Sequence, residues 1–411
     1  MNTPLPDPYT LDLDAIDVSN PDLYQNDSWR PWFARLRKED PVHWSENSDF
    51  GGFWSVTRFE DIVTVDKSHD DFSSEPAITI GDYGDDLPVR QFIAMDPPLH
   101  DIQRKAVQGV VAPRNLADLE SLIRSRVATM LDELPVGEPF NWVDRVSVNL
   151  TTQMLATIFD FPFEDRHKLP YWSDMATSLP EIAGGDGDND ERTRALTECL
   201  ETFTAMWHQR KHNPPGTMDL ISMLATNPET AAMVDDPLEY LGNLILLIVG
   251  GNDTTRNSIT GGVVALNQNP DQFALLKANP DLVSSMVPEI IRWQTPLMHM
   301  RRIATRDVVL GGKNIRKGEK VVMWYLSGNH DESAIADPDT FNINRDNPRF
   351  HLSFGFGIHR CMGNRLGEMQ LKILWEEILK RFSDVEMVDE PQRIQSNFVR
   401  GYSELSVVLH R

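Results

Sequence analysis

Residues 354–363 have the sequence FGFGIHRCMG, which places a cysteine among glycines and directly before a helical pattern. The glycines at 355, 357 and 363 permit tight turns and positive φ angles around the Cys361 sulfur. Backbone N–H groups and the positive end of the following helix would stabilise a thiolate and lower the pKa of Cys361. The pattern therefore predicts a thiolate that acts as a nucleophile or as a metal ligand.

The residues alone leave these two alternatives open. A nucleophile needs a base, and His359 lies two residues away, but no Asn or Asp is obviously placed to orient its imidazole. A zinc site needs companion ligands, yet the chain has no HExxH and its only other cysteine, Cys199, is far away. A cofactor that brings its own ligands, as haem does, needs only one thiolate. We expect Cys199 to be a buried apolar side chain.

The clearest predicted helix spans residues 236–269. Asp236 is a typical N-cap, Pro237 suits the first helical position and Glu239 completes a capping box. Pro270 ends the pattern. At 1.5 Å per residue the helix would be roughly 50 Å long, enough to cross the whole domain.

The middle of this helix contains the sequence GGNDTT at residues 250–255. Two glycines in a helix interior cost about 1 kcal/mol each relative to alanine, so a compensating role is expected. One interpretation is a tolerated kink against a neighbouring element. The other is that Gly250 and Gly251 leave room for a bound molecule, towards which Asp253 and Thr254 direct polar groups.

Most of the remaining chain has helical periodicity, interrupted by short β-rich segments. Apolar residues recur at helical spacing in residues 116–131, 145–159, 193–209 and 367–382. Strand patterns occur at residues 52–65, 308–310 and 320–325. The sequence predicts a mainly α protein with small β-sheets, folded as one domain over residues 1–411, in which residues 1–40 form an N-terminal extension packed on the rest.

Composition excludes several classes of function. The 411-residue chain carries a formal charge of −23, which repels phosphate backbones and anionic lipid. Its longest apolar run, Leu244–Val249, is far shorter than the ~20 residues of a membrane helix, and residues 1–32 contain no signal-peptide pattern. We expect a cytoplasmic protein with no nucleic-acid partner and no stable membrane anchor.

The cysteine segment resembles the haem-binding loop FxxGx(R/H)xCxG of the cytochrome P450 family, with matches at Phe354, Gly357, His359, Cys361 and Gly363. The resemblance implies haem b, with Cys361 as the axial iron ligand and Phe354 and Gly357 as part of the cofactor-binding loop. It also implies the single-domain P450 fold, whose long central helix crosses the haem.

Three further motifs occur in the order of that family. Residues 250–255 resemble its oxygen-activation segment (A/G)GxDTT. Glu289 and Arg292 match its ExxR motif, and Arg345 would complete a structural ion network with them. The resemblance assigns the haem propionates to four residues: His100, Arg104, Arg302 and His359.

The resemblance implies a monooxygenase that inserts one oxygen atom of O2 into an unactivated C–H bond. Asp253 and Thr254 would be its catalytic acid and alcohol, which supply protons for O–O cleavage. Because the chain has no flavin or nicotinamide fingerprint, electrons would come from a partner protein. The resemblance to the soluble bacterial members of the family implies that this partner is a ferredoxin, reduced by a ferredoxin reductase, with NAD(P)H acting only indirectly. Five basic residues would form the docking patch for the ferredoxin: Arg104, Lys105, Arg360, Arg365 and Lys372.

The substrate is predicted to be a small apolar molecule with an alkyl chain. The resemblance implies that nine residues line its pocket: Ile93, Met95, Leu246, Val249, Gly250, Leu297, Met298, Met300 and Phe398. Residues 92–98, 246–257 and 288–297 resemble the bacterial alkane and fatty-acid terminal hydroxylases, which implies ω-hydroxylation of a medium- or long-chain substrate. The alternatives are a hydroxylase of terpene or steroid-like substrates, a haem-thiolate sensor or carrier, and a haem-free helical scaffold.

Overall fold

Helices form most of the chain in a computed structural model that describes residues 5–82, 89–177, 188–212 and 219–411. The helices are α1 (Asp22–Gln25), α2 (Arg30–Glu39), α3 (Phe59–Lys67), α4 (Leu99–Val107), α5 (Pro113–Asp132), α6 (Asn149–Phe159), α7 (Lys168–Thr177), α8 (Asn189–His212), α9 (Leu220–Thr226), α10 (Pro237–Gln268), α11 (Pro270–Ala278), α12 (Val283–Gln294), α13 (Tyr325–Gly328) and α14 (Asn364–Arg381). A π-helical segment, Val143–Val148, leads into α6. None of the helices in the described ranges is long and apolar enough to cross a membrane.

The central helix α10 begins and ends where its sequence predicts. The Asp236 carboxylate accepts a hydrogen bond from the Glu239 N–H at 3.2 Å, and Asn269 caps the other end before Pro270. The helix continues through Gly250 and Gly251 without interruption. It packs against α6, α7, α8, α12 and α14, so the segment GGNDTT lies at the centre of the molecule.

In the described ranges, short strands form four small sheets. The strands are β1 (Val42–Ser45), β2 (Phe53–Val56), β3 (Phe72–Ser73), β4 (Phe140–Asn141), β5 (Met300–Ala304), β6 (Val308–Leu310), β7 (Lys313–Ile315), β8 (Lys320–Met323), β9 (Asp384–Met387), β10 (Gln392–Arg393), β11 (Tyr402–Glu404) and β12 (Ser406–His410). The largest sheet has the order β1-β2-β8-β5-β3, with β2 and β8 parallel and the other pairs antiparallel. The other sheets are β4-β12-β9, β10-β11 and β6-β7.

Two predicted strands are shorter than expected. The strand pattern at residues 52–65 is wrong in its second half, where α3 begins at Phe59. Glu60 and Asp61 in the first turn complement the helix dipole, and the apolar residues that follow are buried at helical spacing. The strand predicted for residues 320–325 ends at Met323, because α13 begins two residues later.

The N-terminal segment packs on the rest of the chain through large aromatic side chains. Trp29 and Phe33 are fully buried and share an apolar cluster with Trp324 of the main body. The Phe33 and Trp324 ring centroids lie 5.3 Å apart. Residues 1–4 of the predicted extension lie outside the described residues.

Candidate functional site

The cysteine loop is closed by backbone contacts that only glycine permits. The Cys361 N–H donates to the Phe354 carbonyl at 2.8 Å, which brings the two ends of the loop together. Gly357 has a φ of 66°, and a β-carbon there would lie 2.4 Å from the Asp66 carbonyl oxygen. Gly355 also has a positive φ. The loop can therefore approach α3 closely and present Cys361 to the interior.

Cys361 faces a large cavity, and opposing effects act on its thiol. Hydrogen bonds from the N–H groups of Gly363 and Asn364, with the charges of Arg104 and Arg360, favour the thiolate. Burial outweighs them, so the pKa of the Cys361 thiol is raised. The N–H groups that were predicted to stabilise the thiolate are present. The predicted net lowering of the Cys361 pKa is nevertheless wrong when only the protein's own groups act on the sulfur, because burial has the larger effect.

The geometry favours a ligand role over a nucleophile role for this sulfur. The His359 Nε2 lies 2.8 Å from the Ser74 hydroxyl oxygen, and no hydrogen bond joins His359 to Cys361 in the described chain. Burial lowers the pKa of His359 to about 2, with Arg302 adding to the effect. The imidazole is thus held neutral against Ser74 and does not form a base–thiol pair.

Three of the four predicted propionate-binding residues, Arg104, Arg302 and His359, line the same cavity as Cys361. The fourth, His100, is not among the lining residues but contacts His359. The rings of His100 and His359 stack edge to face, with centroids 4.2 Å apart. The His100 Nε2 and the His359 Nδ1 are buried without a partner among the described residues. A bound anionic group needs hydrogen-bond donors and positive charge. The two imidazole nitrogens can supply the donors, and the guanidinium groups of Arg104 and Arg302 supply the charge.

These residues fit a haem. The cavity contains about 2060 Å³ of space outside the protein atoms, part of it open to solvent. Cys361 lines this cavity and would supply the sulfur ligand, and Gly250 and Thr254 of α10 also line it. The orphaned imidazole nitrogens and the two arginines would hold the propionates, as the sequence predicts.

Asp66 is a residue of this site that sequence reasoning missed. It is 2 % exposed, and its carboxylate accepts hydrogen bonds from the Arg302 guanidinium (2.9 Å), the Tyr325 hydroxyl (2.8 Å) and the Phe356 N–H (2.7 Å). It thereby joins β5, α13 and the cysteine loop. Nothing in the sequence distinguishes this carboxylate from the other acidic residues, because its partners are more than 230 positions away.

We expect Asp66→Asn to lower the free energy of unfolding by about 3 kcal/mol, since it leaves the buried Arg302 guanidinium without its carboxylate. Urea denaturation of the haem-loaded protein measures this change. The matched control is Asp71→Asn, which removes the partner of the exposed Arg306 and should leave stability nearly unchanged. Equal effects of the two substitutions would show that Asp66 does not anchor the loop.

Asp253 is fully buried on α10 and linked to the surface by a short chain of polar groups. One carboxylate oxygen accepts from the Ser173 hydroxyl at 3.1 Å and from the Asn252 amide at 3.0 Å, and it lies 3.1 Å from Arg256. Arg256 in turn contacts the half-exposed Asp174 at 2.5 Å. Burial raises the pKa of Asp253 even though Arg256 lowers it. The other carboxylate oxygen has no described partner.

Thr254 lies beside Asp253 and, unlike it, lines the cavity. Its hydroxyl donates to the Gly250 carbonyl at 2.8 Å, which leaves the oxygen free to accept. The two glycines differ from the expectation that both open space. Gly250 has open space where a β-carbon would be, whereas at Gly251 that atom would lie 2.7 Å from a methyl group of Leu155. Both glycines line the cavity, but only Gly250 leaves the space of its missing side chain unfilled.

The predicted ion network is assembled away from the cavity. Glu289 and Arg292 are fully buried, with an Arg292 Nε to Glu289 carboxylate distance of 2.7 Å. The Arg345 Nε lies 3.1 Å from the same carboxylate. Arg292 also donates to the carbonyls of Asn329 and Pro338. The network joins α12 to the segment that leads to the cysteine loop.

Seven of the nine predicted pocket residues line the cavity: Ile93, Leu246, Val249, Gly250, Leu297, Met300 and Phe398. The other two do not. Met95 is buried in the helical core, and Met298 packs with Trp324 beneath the N-terminal segment. Met298 belongs to the apolar cluster around Trp324, whereas the neighbouring Leu297 lines the cavity. The predictions missed several lining residues, including Met154, Leu155 and Ile158 of α6, because nothing in the sequence marks α6 as a neighbour of the haem loop.

Comparisons with known proteins agree with this geometry. The profile of the family described as Cytochrome P450 matches residues 104–408. The chain is 36 % identical to linalool 8-monooxygenase of Pseudomonas putida, over 97 % of this chain and 99 % of that protein. It is 32 % identical to methyl-branched lipid omega-hydroxylase of Mycobacterium tuberculosis, over 91 % of this chain and 90 % of that protein.

Solved structures show the same fold. Cytochrome P450-153 from Novosphingobium aromaticivorans superposes with a TM-score of 0.89 at 42 % identity, covering 96 % of this chain and 99 % of that one. CYP153D17 from Sphingomonas sp. PAMC 26605 gives a TM-score of 0.89 at 45 % identity, covering 97 % and 100 %.

A helical fold with a cysteine loop beneath a long central helix defines a haem-thiolate enzyme. The chain belongs to the cytochrome P450 family and is a P450 monooxygenase. The predicted fold class is confirmed, and the sensor, carrier and haem-free scaffold alternatives are set aside. Membership of this family implies haem with an axial cysteine thiolate and O2 as the co-substrate.

Proposed function

We propose that this protein hydroxylates the terminal (ω) carbon of medium- or long-chain fatty acids or n-alkanes. The observation that supports this most directly is the lining of the cavity above Thr254, where Leu246, Val249, Leu297 and Phe398 present apolar side chains from three separate segments. An apolar lining suits an alkyl chain. A relative named as a lipid omega-hydroxylase adds support.

When bound, the haem supplies oxygen activation, in which the Cys361 thiolate donates electron density and favours O–O cleavage. The protein supplies protons. Asp174 at the surface pairs with Arg256, and Arg256 and Ser173 hold Asp253, whose buried carboxyl is the group that would pass protons inward. Thr254, next along α10, holds a hydroxyl at the cavity wall, where it can pass a proton to the reacting oxygen.

We expect Thr254→Ala to keep haem and substrate binding but to divert electrons to hydrogen peroxide. Loss of a positioned proton donor costs roughly 100-fold in a proton-transfer step, so product formed per NADH should fall by at least several-fold. Product, peroxide and NADH are measured in the same reaction. Thr254→Ser retains the hydroxyl and should restore most of the coupling. Tight coupling in the alanine variant would contradict this role.

We further propose that an acidic ferredoxin, itself reduced by a ferredoxin reductase with NAD(P)H, delivers the electrons. The Arg104 guanidinium contacts the Arg360 carbonyl, so α4 and the cysteine loop carry their positive charges side by side. Arg365 and Lys372 are exposed and seven residues apart on α14, which places them on one face. Lys372 lies 3.8 Å from Glu376, which reduces its share of the charge.

Charge reversal by Arg365→Glu should lower the second-order rate of reduction by ferredoxin several-fold and flatten its salt dependence. Stopped-flow reduction at increasing ionic strength measures both quantities. The control is Arg316→Glu, at an exposed position between β7 and β8. If both variants respond alike, general charge and not this patch steers the partner.

A titration with n-alkanes and fatty acids of graded length tests the substrate class. Binding is read from the spin-state shift of the haem, and the hydroxylated position is read by mass spectrometry of the product. We expect a response that depends on chain length and a terminal alcohol as the product. No response to any chain would overturn the proposal.

The second candidate is a hydroxylase of terpene or steroid-like substrates. The similarity to a protein named linalool 8-monooxygenase favours it specifically. The same titration with linalool and a steroid separates the two functions. A stronger shift with these compounds than with every alkyl chain would favour this second function.

A further inference from the structure

A second cavity lies apart from the haem cavity and shares no lining residue with it. Its walls come from the N-terminal segment, the C-terminal half of α10, the end of α12 and the strands β10 and β11. We call it the arginine cavity, because three arginines line it: Arg30, Arg393 and Arg400. The monooxygenase reaction makes no use of this place.

The arginine cavity carries more positive than negative charge. Asp27 lies 3.7 Å from Arg30, 3.5 Å from Arg393 and 3.1 Å from Arg400, so one carboxylate serves three guanidinium groups. The only other carboxylate in the described lining is Asp339. Three cations against two anions leave an excess of one positive charge.

The Asp339 carboxylate attracts Arg30 and also contacts a histidine outside the described lining of the cavity. Its carboxylate lies 2.6 Å from the His330 Nδ1. Burial lowers the pKa of His330 to about 3, so its ring is neutral and adds no positive charge. The excess positive charge is therefore confined to the arginines, inside a protein whose overall charge is −23.

The same arginines have unused hydrogen-bond donors. The Nε atoms of Arg393 and Arg400 are buried without a partner in the described ranges, and Arg400 is only 5 % exposed. The Arg30 guanidinium makes a long contact of 3.7 Å with Asp27, and it lies over the rings of Trp29 (4.6 Å) and Trp293 (5.3 Å). Buried guanidinium donors are costly to leave unmatched.

We propose that the arginine cavity binds a small oxyanion, a carboxylate or a phosphate group, between Arg30 and Arg393. Guanidinium groups match both anions through paired N–H donors, and the excess charge favours an anion over a neutral ligand. Arg400 forms the back of the site, since it is held by the carbonyls of Trp293 and Gln294.

A bound oxyanion would join elements that are distant in sequence. Arg30 begins α2 of the N-terminal segment, whereas Arg393 lies on β10 near the C-terminal end. Trp293 belongs to α12, the helix of the Glu289 network. A ligand that binds only the folded state stabilises it by mass action, so the anion should raise the thermal midpoint of unfolding.

The test is thermal unfolding of the haem-loaded enzyme with increasing inorganic phosphate, acetate or chloride at constant ionic strength. We expect a saturable rise in the midpoint with phosphate or acetate but not with chloride. The oxyanion that half-saturates at the lower concentration identifies which group the site prefers. Isothermal titration calorimetry with that anion should give one site per chain.

Variants separate the site from general salt effects, because phosphate also stabilises proteins by exclusion from their surface. Arg30→Gln and Arg393→Gln should each weaken the apparent affinity at least tenfold, whereas Arg316→Gln should leave it unchanged. Arg30 has few bonds to lose, so its variant should fold normally. An unsaturable rise, or one that all three variants share, would show that the cavity is only an internal ion-pair cluster and would overturn the proposal.

Discussion

Cys361→Ala should abolish monooxygenase activity and remove the thiolate signature from the spectrum of the reduced, carbon monoxide-bound protein. Cys361 is one of two cysteines in the chain, and the other, Cys199, is fully buried in α8. No second thiol can therefore replace it at the cavity. Without the thiolate, electron donation that favours O–O cleavage is lost.

Haem content and the reduced carbon monoxide spectrum measure this effect independently of turnover. Cys199→Ala is the matched control, because it removes the other thiol and should leave the spectrum unchanged. Its cost is confined to stability, at about 1–2 kcal/mol for a small cavity in the core. A Cys361→Ala protein that kept the parent spectrum would refute the assignment of the ligand.

Glu289→Ala should lower the free energy of unfolding by about 3–5 kcal/mol, because it leaves the fully buried Arg292 guanidinium and the partly buried Arg345 guanidinium without their carboxylate. The carboxylate accepts from Arg292 at 2.7 and 2.8 Å, from Arg345 at 3.1 and 3.3 Å and from the Asn342 N–H at 2.9 Å. A loss of this size is a large part of the stability of a typical domain. Little soluble, haem-loaded protein should result.

Urea denaturation and haem incorporation measure the loss, and Glu289→Gln separates charge from packing. The glutamine variant keeps the shape and some hydrogen bonds, so it should be intermediate. Glu368→Gln is the control, because Glu368 pairs with the exposed Arg349 and should change stability by less than about 1 kcal/mol. If Glu289→Ala is no worse than this control, the network does not support the fold.

The elements that short-range rules describe were predicted closely. Asp236, Pro237 and Pro270 set the ends of α10 through capping chemistry that involves only neighbouring residues. The glycines of residues 354–363 could be interpreted because a positive φ and a close backbone approach are local demands. The motif at Glu289 and Arg292 lies within one helical turn, so its ion pair was also foreseeable.

Predictions that depended on what surrounds a residue were less accurate. Gly251 was expected to open space, but Leu155 of α6 occupies its side of the helix. Met95 and Met298 are apolar and close to the pocket in sequence, yet they pack into other clusters. The pKa of Cys361 was expected to fall, whereas burial by the assembled protein raises it.

Local sequence thus accounts for the helix ends, the cysteine loop and the class of cofactor, because capping, backbone freedom and the choice of metal ligand depend on adjacent residues. Tertiary structure alone joins Asp66 to the cysteine loop 290 positions away and gathers Arg30, Arg393 and Arg400 around one carboxylate. Contacts between distant segments form only when the chain has packed, and the desolvation that shifts pKa values follows from those contacts. The pattern of neighbouring residues does not determine which distant residues come into contact.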